Sequence, residues 1–242
     1  MKQKIKLLLA IATMFSITSF AYSQDVGCKC GNQCKCGEKN GTGMCKCGVG
    51  CQCAQMHSHS MQMTHNNVFL IMMDSMMTAM DAAPLDASAE GNFLRQMIPH
   101  HQGAIEMAKY EIANGKNKQM IQLAKSILTE QQGEIQEMKA MLALYPFVHN
   151  QVPSADYKKS MDDAMMKMMT ATPSDKDLQG KSVDCAFAMV MLPHHQAAVD
   201  MSTALLKLVP TGQVATYAAR IISDQQIEIQ QMAEFIKQNC KE

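Results

Sequence analysis

Phe93-Leu94-Arg95-Gln96-Met97-Ile98-Pro99-His100-His101-Gln102 returns 94 residues later as Phe187-Ala188-Met189-Val190-Met191-Leu192-Pro193-His194-His195-Gln196. The register then holds without a gap for about forty residues: Glu106 over Asp200, Met107 over Met201, Glu130 over Asp224, Gln131 over Gln225, Glu134 over Glu228 and Met138 over Met232. Polar positions that match while their neighbours have drifted need a reason beyond packing. Histidine, methionine and glutamate matching together point to a metal site built twice.

Around this string the apolar residues keep a helical rhythm. Leu94, Ile98, His101, Ile105, Ala108 and Ile112 alternate steps of four and three, the seam of a packed helix. Asn114 and Gly115 break it, and Ile121, Ala124, Leu128, Gln131, Ile135, Met138 and Leu142 return on the same rhythm. The second copy repeats the hairpin through Ala188, Leu192, His195, Val199, Ser202 and Leu206, then Ala215, Ala218, Ile222, Gln225, Ile229, Met232 and Ile236. Each hairpin is preceded by a Met-striped helix, with Met72, Met76 and Met80 in one copy and Met161, Met165 and Met169 in the other. Pro84 and Pro173 close these helices. The following link is five residues longer in the second copy. The predicted fold is all-α: one or two antiparallel helical bundles from tandem repeats at 67–150 and 151–242. Pro99 and Pro193 fall inside the pattern and predict a kink beside each His pair.

Two segments precede the repeats. Residues 1–23 read as a cleavable export signal, with Lys2, Lys4 and Lys6 before an apolar run from Leu7 to Phe20 and small residues Ala21 and Ser23 at the end. That run is short for a membrane span, and nothing later resembles one. The expected location is periplasmic or secreted. Cleavage removes three lysines and no acid from a chain balanced at 22 basic and 22 acidic residues. The remaining three negative charges leave no electrostatic footprint for nucleic acid.

Residues 24–66 hold Cys28, Cys30, Cys34, Cys36, Cys45, Cys47, Cys51 and Cys53 as four Cys-x-Cys pairs among glycines, with almost nothing apolar to bury. Such a tract cannot offset its ordering entropy with a core, and is expected to be disordered until a thiolate cluster folds it. Disulfides are the competing reading for an exported chain, although Cys-x-Cys disulfides close small strained rings. Its Cys-Lys-Cys and Cys-Gln-Cys units resemble a metallothionein in style. His57, His59, Met61, Met63 and His65 extend the tract with further metal-ligand types.

The chain carries 25 Met and 10 Cys against 7 Phe, 5 Tyr and no Trp. Thioethers and thiolates are soft ligands that favour Cu(I) over hard cations. Methionine also fills cores, so the helical Met stripes read first as packing. His101 and His195 lie on apolar seams opposite Gln131 and Gln225, where an unsatisfied polar group costs about 1–3 kcal/mol. Met97 and Met191 stand one turn before the His pairs, Met107 and Met201 two turns beyond His100 and His194, and Met138 and Met232 on the return helices. Two Met/His sites for Cu(I) follow as the expectation, with Ag(I) or Zn(II) as other candidate ions. Glu106, Gln131, Glu134, Asp200, Gln225 and Glu228 are expected behind the histidines, orienting them. A buried hydrogen bond from His to Gln or Glu is the packing alternative.

The strings at 93–108 and 130–138 resemble the DUF305 family of exported, ferritin-like helical-bundle proteins, over residues 67–240 as two copies. Some members of that family are associated with periplasmic copper binding and copper tolerance. The resemblance implies a non-catalytic protein that sequesters Cu(I) or passes it to a copper exporter or chaperone. A ferritin-like di-iron oxidase needs Glu-x-x-His on two helices, and no such string occurs in the sequence. No His-Cys-His grouping supports a copper oxidase. The remaining alternatives are a helical interaction module with Met-rich faces and a tail that buffers zinc or other soft metals. Cys185 and Cys240 lie outside the tract, and the sequence leaves their pairing open.

Overall fold

The computed structural model describes residues 65–240. The expected signal at 1–23 and the cysteine tract lie outside the described residues, as do His57, His59, Met61 and Met63. Among the described residues there are seven helices and no strand: α1 (Val68–Asp81), α2 (Ala89–Asn114), α3 (Lys118–Leu142), α4 (Ala155–Ala171), the short α5 (Asp175–Leu178), α6 (Val183–Leu208) and α7 (Gln213–Asn239). Helix starts follow local chemistry. Asn67, Ser88, Asn117, Ser154, Ser174 and Ser182 each accept a first-turn backbone N–H through the side chain. The five extra residues of the second copy are accommodated where α5 forms, with Ser174 and Asp177 closing a capping box.

Whether the repeats make one bundle or two is decided by α2 and α6. They pack against each other, α3 folds back along α2, and α7 folds back along α6. α1 covers α2 and also touches α6, with Phe69 between Tyr110 and Phe187 at ring distances of 5.3 and 5.9 Å. α4 covers α6, and its Tyr157 hydroxyl donates to Gln96 of α2 at 2.8 Å. The result is a single six-helix core with α2 and α6 at its centre, plus the short α5. Both central helices run unbroken through Pro99 and Pro193.

Because α2 and α6 have neighbours on several sides, their buried face is wider than a two-helix seam. On α2 it includes Phe93, Leu94, Met97, His100, His101, Ala104, Ile105, Met107 and Ala108. The Met stripes shift relative to expectation. Met73, Met76 and Met80 are buried on α1, and Met161, Ala164 and Met168 on α4, whereas Met169 is 58% exposed. A strict four-residue step drifts around a helix of 3.6 residues per turn, so the buried stripe alternates threes and fours. Gly103 has a packing reason: a Cβ there would meet Met76 Cβ at 2.9 Å, so its absence lets α1 lie close to α2.

Three aspartates pin loops to helix starts. Asp184 accepts the N–H groups of Lys116 and Asn117, and Asp175 accepts those of Asn66 and Asn67. Asp86 accepts from Val148 N and Ser88 N and pairs with Arg95 at 3.2 Å. Cys185 and Cys240 form a disulfide with Cα atoms 5.6 Å apart, joining the start of α6 to the end of α7.

Glu111 is fully buried beside the Asp184 carboxylate, to which its protonated carboxyl can donate. Burial, reinforced by the Asp184 carboxylate, pushes its pKa up to about 8. The folded state therefore holds a proton that the unfolded chain releases near pH 4.5. Its contribution is complete below that value and is lost as pH rises toward 8. Glu111→Gln, a neutral isostere, is expected to gain stability relative to the parent as pH climbs through this window. Urea unfolding of both chains at a series of pH values measures the difference, and parallel profiles would refute it.

Candidate metal centre

Two adjacent residues on a helix point about 100° apart, so they cannot both face the same neighbour. On a central helix they serve two. His100 of α2 faces α6, where its ring lies over that of His194 with centroids 3.8 Å apart. His101 faces α3, and its Nε2–H donates to Glu134 Oε2 at 2.9 Å. The second copy does the same: His195 donates from Nε2 to Glu228 Oε2 of α7 at 2.8 Å. Within each pair the ring centroids are 6.1 and 5.8 Å apart. The four rings thus run His101, His100, His194, His195 across the middle of the bundle, all fully buried. The two His pairs, expected as two separate sites, lie side by side. Packing α2 against α6 brings both His pairs into one continuous centre.

Hydrogen bonds set the tautomers. A carboxylate or carbonyl oxygen only accepts, so each neutral ring facing one carries its proton on the nitrogen nearest that oxygen. His101 and His195 carry it on Nε2, against Glu134 and Glu228. His194 Nε2–H donates to the backbone oxygen of His100 at 3.1 Å. In all three rings Nδ1 is buried and without a partner, a lone pair wherever the ring is neutral. His100 has no partner on either nitrogen. Burial first, then the neighbouring imidazoles, holds His100 and His194 well below the usual histidine range, so both are neutral.

Buried lone pairs of this kind are uncommon. Held by hydrogen bonds on their other nitrogen, they match the arrangement in which a second group orients a ligating histidine. Met97, Met107, Met138, Met191, Met201 and Met232 are all fully buried on the same four helices. Among the described residues no three His, Cys, Asp or Glu side chains converge closely enough to hold an ion. Imidazole nitrogen and thioether sulfur are among the ligand types these helices bury, a set that suits a soft cation. Gln131 and Gln225, opposite the outer histidines in sequence, are buried with both amide atoms unpartnered.

Other expected residues sit elsewhere. Glu106 and Asp200 do not stand behind the histidines. Glu106 takes hydrogen bonds from Gln102 and Lys109, and Asp200 from Gln196 and Lys167, on the outer face of their helices. They fall five or six residues from the His pairs, which turns them away from the buried side. His65 is drawn to Asp175 at 2.7 Å.

The sequence also left a groove unassigned. About 550 Å³ opens between α3 and α7, lined by both His-holding carboxylates, Glu134 and Glu228, together with Glu130 and Asp224. Burial, opposed at Glu130 by the Ser126 hydroxyl and reinforced by neighbouring carboxylates, raises the pKa of both Glu130 and Asp224. The matched pairs Glu130/Asp224 and Glu134/Glu228 were the available signal, but no periodicity says that two return helices face each other.

The fold and centre define a tandem-repeat helical bundle with a buried His/Met core. The chain belongs to the DUF305 family, described as a domain of unknown function, whose profile matches residues 18–142 and 148–236. A stretch of 50 residues is 44% identical to the uncharacterized protein L153 of Acanthamoeba polyphaga mimivirus, covering 21% of this chain. The match spans 33% of that viral protein's length. Among solved structures, CopM in its Cu(I)-bound form is 28% identical, covering 62% of this chain and 96% of CopM with a TM-score of 0.47. A DUF305 fragment from Deinococcus radiodurans is 23% identical, covering 64% and 99% with a TM-score of 0.46.

The tautomer assignment is directly measurable. In the metal-free protein, ¹⁵N NMR of the imidazoles is expected to show the neutral forms of His101, His194 and His195 protonated on Nε2 and bare on Nδ1. His194 should remain neutral on acidification well below the ordinary histidine value of about 6.5. A protonated Nδ1 on these rings would contradict the hydrogen-bond assignment.

Proposed function

We propose that this protein binds Cu(I), or the chemically similar Ag(I), in its helical core, and that it sequesters or hands on the ion rather than catalysing a reaction. One observation carries the reading: unpartnered imidazole nitrogens buried at the α2/α6 crossing, three of them in a fixed tautomer. A purely structural histidine would be expected to use those atoms, because each unpaired buried polar group costs about 1–3 kcal/mol. The surrounding thioethers set the preference for a soft monovalent ion. Met97, Met107 and Met138 from one half, and Met191, Met201 and Met232 from the other, are the sulfur ligands in reach of these helices.

Residues 24–66 would add a thiolate store of eight cysteines, and an exported chain would work in the periplasm as part of copper tolerance. Its partners would be the ion itself and a copper exporter or chaperone. No described helix is long and apolar enough to cross a membrane. The carboxylates Glu134 and Glu228 act through the histidines they hold, keeping Nδ1 unprotonated and aimed inward.

The test is an anaerobic Cu(I) titration against a competing chelator on the chain from Gln24, after alkylation of the tract thiols without reduction of the Cys185–Cys240 disulfide. The blocked chain is expected to retain tight binding. His101→Gln together with His195→Gln should weaken it by more than a hundredfold. Glu134→Gln or Glu228→Gln alone should weaken it about tenfold to a hundredfold, the usual cost of losing an orienting partner. If alkylation alone abolishes tight binding, the metal chemistry belongs to the cysteine tract and the bundle is a scaffold.

A further inference from the structure

We infer that the groove between α3 and α7 is the entrance through which the cation reaches the buried histidines, held open by Gly133; this rests on the reading of the core as a soft-metal site. The four histidines have no solvent contact of their own, so an ion needs a path. Each outer ring is hydrogen-bonded to a carboxylate that lines the groove. Glu134 and Glu228 line the groove, and each holds an imidazole through Oε2. Glu228 is more than nine-tenths buried, and its other oxygen, Oε1, has no partner. Buried and unpartnered, that oxygen keeps an open lone pair for a cation that has shed its water.

Charge favours a cation along the whole path. Glu130, Glu134, Glu137, Asp224 and Glu228 line the groove against one arginine, Arg220, which is itself paired with Glu137. A cleft lined by one sign of charge raises the local concentration of the opposite ion and speeds its capture. These carboxylates do not converge into a coordination shell, which suits a passage better than a second resting site.

Gly133 is the second feature. It sits in the interior of α3, where glycine costs about 1 kcal/mol relative to alanine. Packing does not require it: a Cβ added there would have no neighbour within 4 Å. This is the opposite of Gly103, whose Cβ would collide with Met76. Gly133 lines the groove, and the matching residue of the second copy, Ile227, lines the same groove from α7 and is 55% exposed. One wall is thus bare where the other carries a side chain. Two isoleucines would narrow the same space.

The experiment follows Cu(I) exchange between a coloured bicinchoninate complex and the full chain with alkylated tract thiols, by stopped flow in both directions. Gly133→Trp fills the groove without touching a ligand. It is expected to slow loading and release together by about tenfold or more while leaving the equilibrium affinity unchanged, the signature of an obstructed passage. Glu130→Gln with Asp224→Asn, which contact no histidine, should slow loading by about tenfold and weaken its dependence on ionic strength. If Gly133→Trp and the charge-neutral variant both load at the parental rate, the entrance lies elsewhere. If the parent with blocked thiols takes up no Cu(I), the soft-metal reading falls and this inference falls with it.

Discussion

The contact between α2 and α6 is the constraint on which the rest of this molecule depends. Each helix belongs to one repeat, and each repeat alone is a hairpin with a covering helix. Their crossing buries His100 against His194 and turns two repeats into one core. Burying imidazoles with open lone pairs is unfavourable, and the surrounding apolar packing has to offset it. Phe93, Leu94, Met97, Phe187, Ala188 and Met191, all without solvent contact, supply that burial around the crossing.

Adjacency of the histidines then acquires a mechanical meaning. Because neighbours on a helix diverge by about 100°, a His-His pair on a central helix addresses two interfaces at once. The inner pair meets across the crossing. The outer pair reaches the return helices, where glutamates set the tautomer. The same division explains why Glu134 and Glu228 reach the histidines while Glu106 and Asp200 do not, although all four match between the copies. Matching in the repeat marks a position as constrained. It does not distinguish a constraint at the centre from a pair of exposed hydrogen bonds on a helix face.

The halves are alike at the centre and different at the edges. The second is fastened by the Cys185–Cys240 disulfide, which joins the ends of its hairpin. The first closes the corresponding end through Arg95, which bonds the Tyr145 carbonyl, Asn92 and Asp86. Gly103 in one copy corresponds to Ala197 in the other, and α1 approaches α2 closely enough to need the missing methyl. Such differences fall where each repeat meets its own covering helix or loop. The histidines, their glutamates and the six core methionines are kept in both, as expected if they serve one shared centre.

From the sequence by itself came the all-α class, the tandem repeat, the helix hairpins and their breaks at Asn114 and Gly115, and the residue types at the centre. These are local or periodic properties: a helix writes its own spacing into the chain, and a repeat supplies its own comparison. Glu134 and Glu228 were legible as candidate partners of the histidines because they match between the copies, three residues after Gln131 and Gln225. What only the tertiary structure decided is how the repeats meet. No local signal states that α2 packs on α6, so the sequence does not reveal that the two His pairs lie side by side. The Cys185–Cys240 pairing, the Glu111–Asp184 contact and the α3/α7 groove were hidden for the same reason. Each depends on the relative placement of elements distant in the chain, and side-chain periodicity reports which face of a helix is buried but not which helix buries it.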